Sequence, residues 1–128
     1  MANGASLAGH VVMQDWVILG GFTLLHQFCR VGAHAFTSFG SGINRDIPPY
    51  VMVSGHAAEP RGINSEGLRR RGYSSEQIAS IRRAYRHLYM KGLKLDLALA
   101  EMDEIAADSA EVKLMVDFIR SSERSIVR

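Results

Sequence analysis

The fold is decided by residues 5–47, which read ASLAGHVVMQDWVILGGFTLLHQFCRVGAHAFTSFGSGINRDI. A period of six residues runs through this stretch. Taking every sixth residue gives a series in which six of seven members are large and aliphatic: Leu7, Met13, Leu19, Leu25, Val31, Thr37 and Ile43. A second series, two positions earlier in each unit, holds small or β-branched residues: Ala5, Val11, Val17, Thr23, Cys29, Ala35, Ser41 and Ile47. Each unit therefore carries an inward-facing pair spaced by two, which is the spacing of a very short strand.

A turn has to follow each short strand, because a helix of 3.6 residues per turn cannot keep two six-residue series in phase. Glycines recur through the stretch and give the backbone the freedom for such turns: Gly9, Gly20, Gly21, Gly32, Gly40 and Gly42. The pattern predicts a left-handed parallel β-helix of hexapeptide repeats, with three short faces to each coil. The alternative, an ordinary sandwich of strands, does not require two registered series.

The repeat also predicts the limits of the coils. It is already in phase at Ala5 with no polar or helical cap before it, so we expect the chain to begin inside a solenoid. Pro48 and Pro49 remove two successive backbone donors and are expected to stop the strand ladder. The predicted domains are therefore truncated β-helix coils over 1–57 and a C-terminal helical domain over 58–128.

Three helices are predicted in the second half of the chain. Ser74 and Gln77 form a capping box, and Gly92 suits the terminating left-handed position, so a helix is expected over 75–91. A second apolar stripe begins at Leu95, although Lys94 is a poor N-cap for it. Ser109 opens the third helix. Such short helices bury little core alone, so we expect them to pack on the coils, on each other or on a partner subunit.

The composition excludes several classes of protein. The chain has 128 residues, of which 47% are hydrophobic and 22% charged, and it contains no run of 18 apolar residues and no secretory signal. These features predict a cytoplasmic globular protein without membrane insertion. The single cysteine, Cys29, excludes an internal disulfide and any metal site that needs two thiolates.

The net charge of +2 conceals an uneven distribution. Residues 1–58 are balanced, residues 59–94 carry nine Lys or Arg against three Glu, and residues 95–128 carry four against eight acidic residues. The middle segment is therefore a basic patch. Its strongest feature is the run Arg69-Arg70-Arg71, because three consecutive guanidiniums repel one another and phosphate suits their fork geometry.

The ligand of this basic segment stays open on the residues alone: nucleic acid, a phosphorylated small molecule or an acidic protein would all fit. No nucleic-acid motif is present, and the acidic C-terminal helices oppose a polyanion. Asn64 and Glu66 add an amide and a carboxylate, which suits a ligand with a sugar or base as well as a phosphate. Farther upstream, His10, His26 and Gln27 lie outside both inward series, and an intersubunit cleft would accommodate the adjacent His26 and Gln27. Cys29 is interpreted as a core residue.

These residues carry a resemblance to a known family. The chain contains the strings Leu7-Ala8-Gly9-His10-Val11, Gly20-Gly21, His26-Gln27-Phe28-Cys29, Gly32-Ala33-His34, Asp46-Ile47-Pro48-Pro49 and Gly62-Ile63-Asn64-Ser65-Glu66-Gly67-Leu68 with Arg70-Arg71-Gly72. Over essentially its whole length it resembles the C-terminal half of the cytoplasmic UDP-N-acetylglucosamine O-acyltransferases of lipid A synthesis. The stretch from Asn64 to Gly72 and His-Gln-Phe-Cys are specific to that family.

The resemblance implies a function and a set of site residues. In that family a hydroxyacyl chain moves from acyl carrier protein to the glucosamine 3-hydroxyl of UDP-N-acetylglucosamine, in clefts between the subunits of a homotrimer, with no metal or other cofactor. Gly9 would donate its backbone N–H to the oxyanion of the thioester intermediate. The other implied roles are as follows: His10 is catalytic and lines the cleft with His26 and Gln27; Asn64, Glu66, Arg70 and Arg71 bind the nucleotide diphosphate; the arginine-rich helices receive the acidic carrier protein.

Three departures from the family pattern carry expectations of their own. The family's general-base histidine lies about one coil upstream of His10, outside these 128 residues, so we expect the chain alone to have little or no acyltransferase activity. Phe39 stands where the family limits acyl-chain length, and its bulk implies a short chain. His56-Ala57 replaces the family's usual Asn-His at the acyl pocket.

Three other functions remain as alternatives. The chain could be a noncatalytic fragment that holds nucleotide and trimer contacts. It could be the related N-acyltransferase of the same pathway, which generally lacks the Asn-x-Glu-Gly-Leu stretch. A zinc site like that of γ-class carbonic anhydrases shares the β-helix but gives the segment from Asn64 to Arg71 no role.

Overall fold

The computed structural model of the protein describes residues 6–7, 12–25, 29–55, 57–123 and 125–128. In the part of the chain that it describes, short strands come first and helices follow. The strands are β1 Ser6–Leu7, β2 Val12–Met13, β3 Ile18–Leu19, β4 Leu24–Leu25, β5 Arg30–Val31, β6 Phe36–Thr37, β7 Gly42–Ile43, β8 Val51–Ser54 and β9 Glu59–Ile63. The helices are α1 Ser65–Arg70, α2 Ser75–Tyr89, α3 Leu95–Ala106 and α4 Ala110–Arg120.

Strands β1 to β8 stack in coils, and each pairs in parallel with a strand of the coil above or below. With β9 they form three sheets in the orders β1-β4-β7, β2-β5 and β3-β6-β8-β9. Leu7 pairs with Leu25, and Leu25 pairs with Ile43, so one coil consists of three six-residue units. The predicted period and the three faces per coil are confirmed.

The interior of the coils contains the two predicted inward series. These members are at most 3% exposed: Leu19, Thr23, Leu25, Cys29, Val31, Ala35, Thr37, Ser41, Ile43 and Ile47. The Thr23 and Thr37 hydroxyls, 3.0 Å apart, bond to each other, so the buried polar atoms have partners. Two earlier members are less buried: Met13 is 39% exposed, and Val17 is only partly buried.

The six-residue period breaks after Ile43. Ile47 continues the second series in the sequence and is buried as that series predicts, but it does not pair one coil back with Cys29. Ile47 instead pairs with Val31, and Val53 pairs with Thr37, so each of these steps is shorter than a full coil by one pair of residues. Because side chains alternate along a strand, a shift by a pair leaves the inward residues inward.

The ladder continues past the two prolines, contrary to the prediction from Pro48 and Pro49. Gly32 N donates to Ile47 O (2.8 Å) and Tyr50 N donates to Ala33 O (2.9 Å), so the prolines occupy the corner between two ladder bonds. There they need no N–H of their own. Strand β8 then pairs in parallel with β6, and the ladder ends at the antiparallel β9, which lies in the segment predicted to contain only helices.

The three predicted helices are present as α2, α3 and α4. The capping box of α2 is formed by Ser74 Oγ, which accepts from Gln77 N (3.1 Å), and by Gln77 Oε1, which accepts from Ser74 N (2.7 Å). Gly92 has a φ of +66°, as the helix end requires, and Lys94 makes no side-chain cap to α3. Helix α1 was not predicted.

The coils and helices have separate cores that the C-terminal tail joins. Tyr85 and Tyr89 of α2 contact both cores. In the tail, Ile126 is buried with the helices and Val127 with the coils. Val127 N donates to Asp46 O (2.7 Å), and Tyr89 Oη donates to Val127 O (2.8 Å), so the tail ties a coil to α2. Within the described ranges, no helix has the length and apolar content that crossing a membrane requires.

Candidate functional site

The basic run lies at the end of the short helix α1: Arg69 and Arg70 are its last two residues, and Arg71 is its C-cap. Asn64 is its N-cap: the Asn64 Oδ1 atom accepts from Gly67 N at 3.3 Å. The Asn64 Nδ2 atom donates to the carbonyl of His34 in the coil at 3.1 Å, and Asn64 N donates to Tyr50 O at 2.7 Å. Asn64 is 6% exposed. It therefore fixes the start of α1 on the side of the coils.

Gly67 is required by this close packing. A Cβ at this position would lie 2.6 Å from Asn64 Nδ2 and 2.8 Å from Asn64 Oδ1. Both atoms are held by hydrogen bonds, so the Asn64 side chain could not move away without losing its cap. The glycine of the family motif thus has a steric reason in this structure.

Glu66 and Arg70 lie one turn apart on the outer face of α1. Arg70 Nη2 donates to Glu66 Oε1 at 3.0 Å, and both side chains are 76% exposed. Such an exposed pair contributes little to stability, about 0.3–0.5 kcal/mol. Both side chains are therefore available to a ligand, because replacing the Glu66–Arg70 bond by bonds to the ligand costs little free energy.

Arg71 is oriented by two aromatic neighbours from the coils. Its Nη1 atom lies 2.8 Å from Nδ1 of His34, and its guanidinium carbon lies 5.2 Å from the ring centroid of Trp16. A cation over the face of an indole is attracted by the ring quadrupole. Arg71 is half-buried, whereas Arg69 and Arg70 are exposed.

His34 lies at the centre of this cluster and is 6% exposed. Its ring is nearly parallel to those of Trp16 and Tyr50, with centroids 6.4 and 5.7 Å away, and its Nε2 atom lies 3.0 Å from Tyr73 Oη. Burial and the neighbouring charge of Arg71 lower the pKa of His34, against a smaller opposing effect of Asp15. The imidazole is therefore neutral at neutral pH.

Residues of α1 and of its two caps border a pocket on the side of the coils. Its lining residues are Ile18, Phe36, Asn64, Glu66, Gly67, Arg70 and Arg71. Two guanidiniums on one wall provide fork-shaped donors for a phosphate or diphosphate, and the carboxylate and amide can bond hydroxyl or N–H groups. Ile18 and Phe36 give the coil side an apolar surface. The pocket thus suits a ligand that combines an anionic group with a polar ring.

The four predicted binding residues of this segment, Asn64, Glu66, Arg70 and Arg71, are therefore brought together. The other predicted site residues, Gly9, His10, His26 and Gln27, lie outside the described residues, as does His56. Phe39 is described: its ring is 73% exposed and meets that of Phe22 edge-on, at 5.2 Å between centroids.

Four aromatic residues of the site were missed by the sequence reasoning: Trp16, His34, Tyr50 and Tyr73. Trp16, His34 and Tyr50 occupy the same corner of successive coils, and each has a positive φ, of 63°, 60° and 71°. The signal that could have found the first two is their separation by one coil, that is, by three six-residue units. Among the described residues, no cluster of three or more His, Cys, Asp or Glu side chains could hold a metal ion.

Short parallel strands in a three-sided coil, followed by helices that place arginines at a pocket, define a hexapeptide-repeat protein with a cationic site. A family model described as UDP-N-acetylglucosamine O-acyltransferase, domain 2, matches residues 46–127. The chain belongs to the UDP-N-acetylglucosamine O-acyltransferase family.

Similar proteins agree with this membership. The acyl-carrier-protein-dependent UDP-N-acetylglucosamine O-acyltransferase of Janthinobacterium sp. is 52% identical over 132 residues, covering 100% of this chain and 50% of the relative. The solved UDP-N-acetylglucosamine acyltransferase of Francisella novicida superposes with a TM-score of 0.95 at 42% identity, over 98% of this chain and 46% of the other. The enzyme of Acinetobacter baumannii gives a TM-score of 0.94 at 40% identity, over 98% and 49%. The chain spans about half the length of the curated relatives it matches.

Proposed function

We propose that the protein is a UDP-N-acetylglucosamine 3-O-acyltransferase, which transfers a hydroxyacyl chain from acyl carrier protein to UDP-N-acetylglucosamine in lipid A synthesis. The observation that carries the proposal is the pocket in which Asn64, Glu66, Arg70 and Arg71 meet. The relatives are named as acyltransferases acting on acyl-carrier-protein and UDP-N-acetylglucosamine. An anionic sugar nucleotide matches the chemistry of this pocket.

In this proposal the two arginines bind the diphosphate. A diphosphate diester carries two negative charges, and charge-assisted hydrogen bonds to guanidinium are among the strong ones in proteins, at about 1.5–3 kcal/mol each. Glu66 would accept from a hydroxyl or N–H of the ligand after releasing Arg70. Asn64 caps the start of α1 with one N–H and one oxygen lone pair of its side-chain amide. The amide has one more N–H and one more lone pair that can bond the ligand.

The acyl-transfer step is proposed for Gly9 and His10, with His26 and Gln27 lining the same cleft. In the family pattern the N–H of Gly9 would stabilise the oxyanion that forms when the sugar hydroxyl attacks the thioester carbonyl. The thiol of the carrier protein's prosthetic arm then leaves as the ester forms. No metal or other cofactor is needed for this exchange of ester for thioester.

We also propose the remaining parts of the assembly. The coils would belong to a left-handed parallel β-helix, with a helical domain after it, in a cytoplasmic homotrimer. Outward apolar side chains on the coils support subunit contacts, since Ile18 and Leu24 are 43% and 49% exposed in the single chain. The acidic carrier protein would dock on the basic face of α2, where Arg83 and Arg86 are exposed.

The 128 residues alone are expected to bind UDP-N-acetylglucosamine but to transfer almost no acyl chain. The family's general base lies upstream of His10, and general-base catalysis contributes roughly 10²- to 10⁴-fold in rate. Isothermal titration with UDP-N-acetylglucosamine and a transfer assay with hydroxyacyl carrier protein, on this chain and on the intact protein, test both parts. Failure of the intact protein to bind the nucleotide sugar would contradict the proposed function, and rapid transfer by this chain alone would contradict the need for the upstream base.

Replacing Phe39 by glycine in the intact protein is expected to shift its preference toward longer hydroxyacyl chains. The exposed Phe39 ring would no longer block the end of the acyl site, and two further buried methylenes contribute about 1.6 kcal/mol, or roughly tenfold in relative kcat/KM. The measurement is competition between hydroxyacyl carrier proteins of different chain length. Phe22→Gly is the matched control, because it removes the ring that Phe39 contacts. An unchanged preference in Phe39→Gly rejects the assignment.

A further inference from the structure

His34 contacts both caps of α1, Asn64 at its start and Arg71 at its end. The proposed binding and transfer roles do not involve His34. Its backbone carbonyl accepts from Asn64 Nδ2 at the start of α1, and its Nδ1 atom lies 2.8 Å from Arg71 Nη1 at the end. The imidazole is enclosed between the rings of Trp16 and Tyr50. A single buried coil residue is thus linked to both limits of the segment that borders the pocket.

The contact with Arg71 determines which nitrogen of the imidazole carries the proton. A guanidinium only donates hydrogen bonds, so His34 Nδ1 must accept and cannot be protonated. The proton of the neutral ring is therefore on Nε2, which donates to Tyr73 Oη at 3.0 Å. The Tyr73 ring in turn meets that of Tyr50 edge-on, with 6.4 Å between centroids. Each ring nitrogen then has a partner of the right kind.

The same contact restricts the guanidinium. Arg71 is held from one direction by His34 and from another by the face of Trp16, so few of its rotamers remain. One N–H is used by His34, and the other donors of the fork are left for the pocket. A guanidinium ordered before the ligand arrives loses less entropy when it binds.

We propose that His34 is a positioning residue, whose neutral imidazole accepts a hydrogen bond from Arg71 and thereby orients the guanidinium toward an anionic ligand in the pocket. The inference rests on the proposed function, because it takes the diphosphate of a nucleotide sugar as that ligand. His34 itself does not line the pocket. Its effect on binding is therefore expected to pass through Arg71.

Two substitutions of His34 distinguish the effect of its hydrogen-bond acceptor from the effect of its aromatic ring. His34→Asn and His34→Gly both lose the stacking with Trp16 and Tyr50, and both residues tolerate the φ of +60° at this position. Asparagine keeps an oxygen close to the place of Nδ1, whereas glycine keeps no acceptor. In the intact protein we expect His34→Gly to raise the Kd for UDP-N-acetylglucosamine about tenfold and His34→Asn less than about threefold.

A double-mutant cycle with Arg71→Ala tests the route of the effect. If His34 acts through Arg71, then adding His34→Gly to Arg71→Ala raises the Kd by less than about twofold. Equal losses in the Asn and Gly variants, or a full tenfold loss in the Arg71→Ala background, overturn the positioning role while leaving the proposed function intact. Absence of UDP-N-acetylglucosamine binding by the unmodified protein overturns both.

A measurement without substitutions covers the case in which His34→Gly does not fold. The ¹⁵N shifts of the histidine side chains in the intact protein report the tautomer, with the His34 signals identified by their loss in His34→Asn. The neutral Nε2–H tautomer at neutral pH supports the proposal. An Nδ1–H tautomer, or a protonated ring, overturns it, because neither can accept from Arg71 at Nδ1.

Discussion

Gly32→Ala is expected to destabilise the protein by about 3 kcal/mol or more, which lowers its Tm by about 10 °C or more. A Cβ at this position would lie 2.3 Å from Pro49 N and 2.5 Å from Pro49 Cδ. Both are parts of a rigid ring in the next coil, and Gly32 N is held by its bond to Ile47 O. Neither coil can move away without breaking hydrogen bonds of the ladder, so the clash cannot be relieved at a low cost in free energy.

Gly40→Ala is the matched control for this prediction. Gly40 has a φ of +73°, and a Cβ there would meet nothing within 4 Å. This variant therefore carries backbone strain of about 1–2 kcal/mol without a clash. Thermal unfolding of the intact protein followed by circular dichroism compares the two. If Gly32→Ala melts within about 2 °C of the unmodified protein, or above Gly40→Ala, then the close packing of Pro49 against Gly32 does not require a glycine, and the prediction is wrong.

The second large effect is expected for Arg71→Ala, which should weaken binding of UDP-N-acetylglucosamine by about 10- to 100-fold, since a hydrogen bond to a charged group contributes about 1.5–3 kcal/mol. Arg71 borders the pocket and is already ordered by His34 and Trp16. Removing it takes away both a charge and the donor that is best oriented. Isothermal titration of the intact protein measures the change.

Arg69→Ala removes the same charge from the same basic run and is the control for Arg71→Ala. Arg69 is exposed and does not line the pocket. Its loss should change the Kd less than about twofold, because an exposed charge that makes no hydrogen bond to the ligand acts on it only through water, where charge interactions are weak. Equal losses in the two variants would mean that binding depends on the net charge of the basic run and not on the geometry of the pocket. Thermal unfolding of both variants shows whether Arg71→Ala also loosens the coil contact.

The interior of the coils was predictable because strand geometry alone dictates which side chains face inward. From Leu19 to Ile43 the two six-residue series therefore identify buried residues. The same argument explains why the shorter step at Ile47 was not predicted: any shift by an even number of positions preserves inward and outward facing, so the pattern does not distinguish a full coil from one shortened by a pair of residues. The error at Pro48 and Pro49 arose because a missing N–H matters only where the ladder uses it.

The candidate site was predictable only in part. The arginine run and its flanking Asn64 and Glu66 stand out by composition, yet α1 has a glycine in its middle and a single buried residue, Leu68, so no apolar stripe reveals a helix. His34 was missed for a different reason. It meets Arg71 across 37 residues of chain, and such a contact depends on how β9 returns the chain to the coil corner.

The tail that joins the two cores also bears on the order of folding. Pairing between coils closes short loops of about one coil each, whereas the contact of Asp46 with Ile126 closes a loop that contains β8, β9 and all four described helices. Loop closure over so long a segment is entropically costly until both partners are already structured. The tail should therefore dock last, after the coils have stacked and α2 has packed with Tyr89 in place to bond Val127 O. In the native state it should likewise be the first of these contacts to open, so the junction can loosen before either core unfolds.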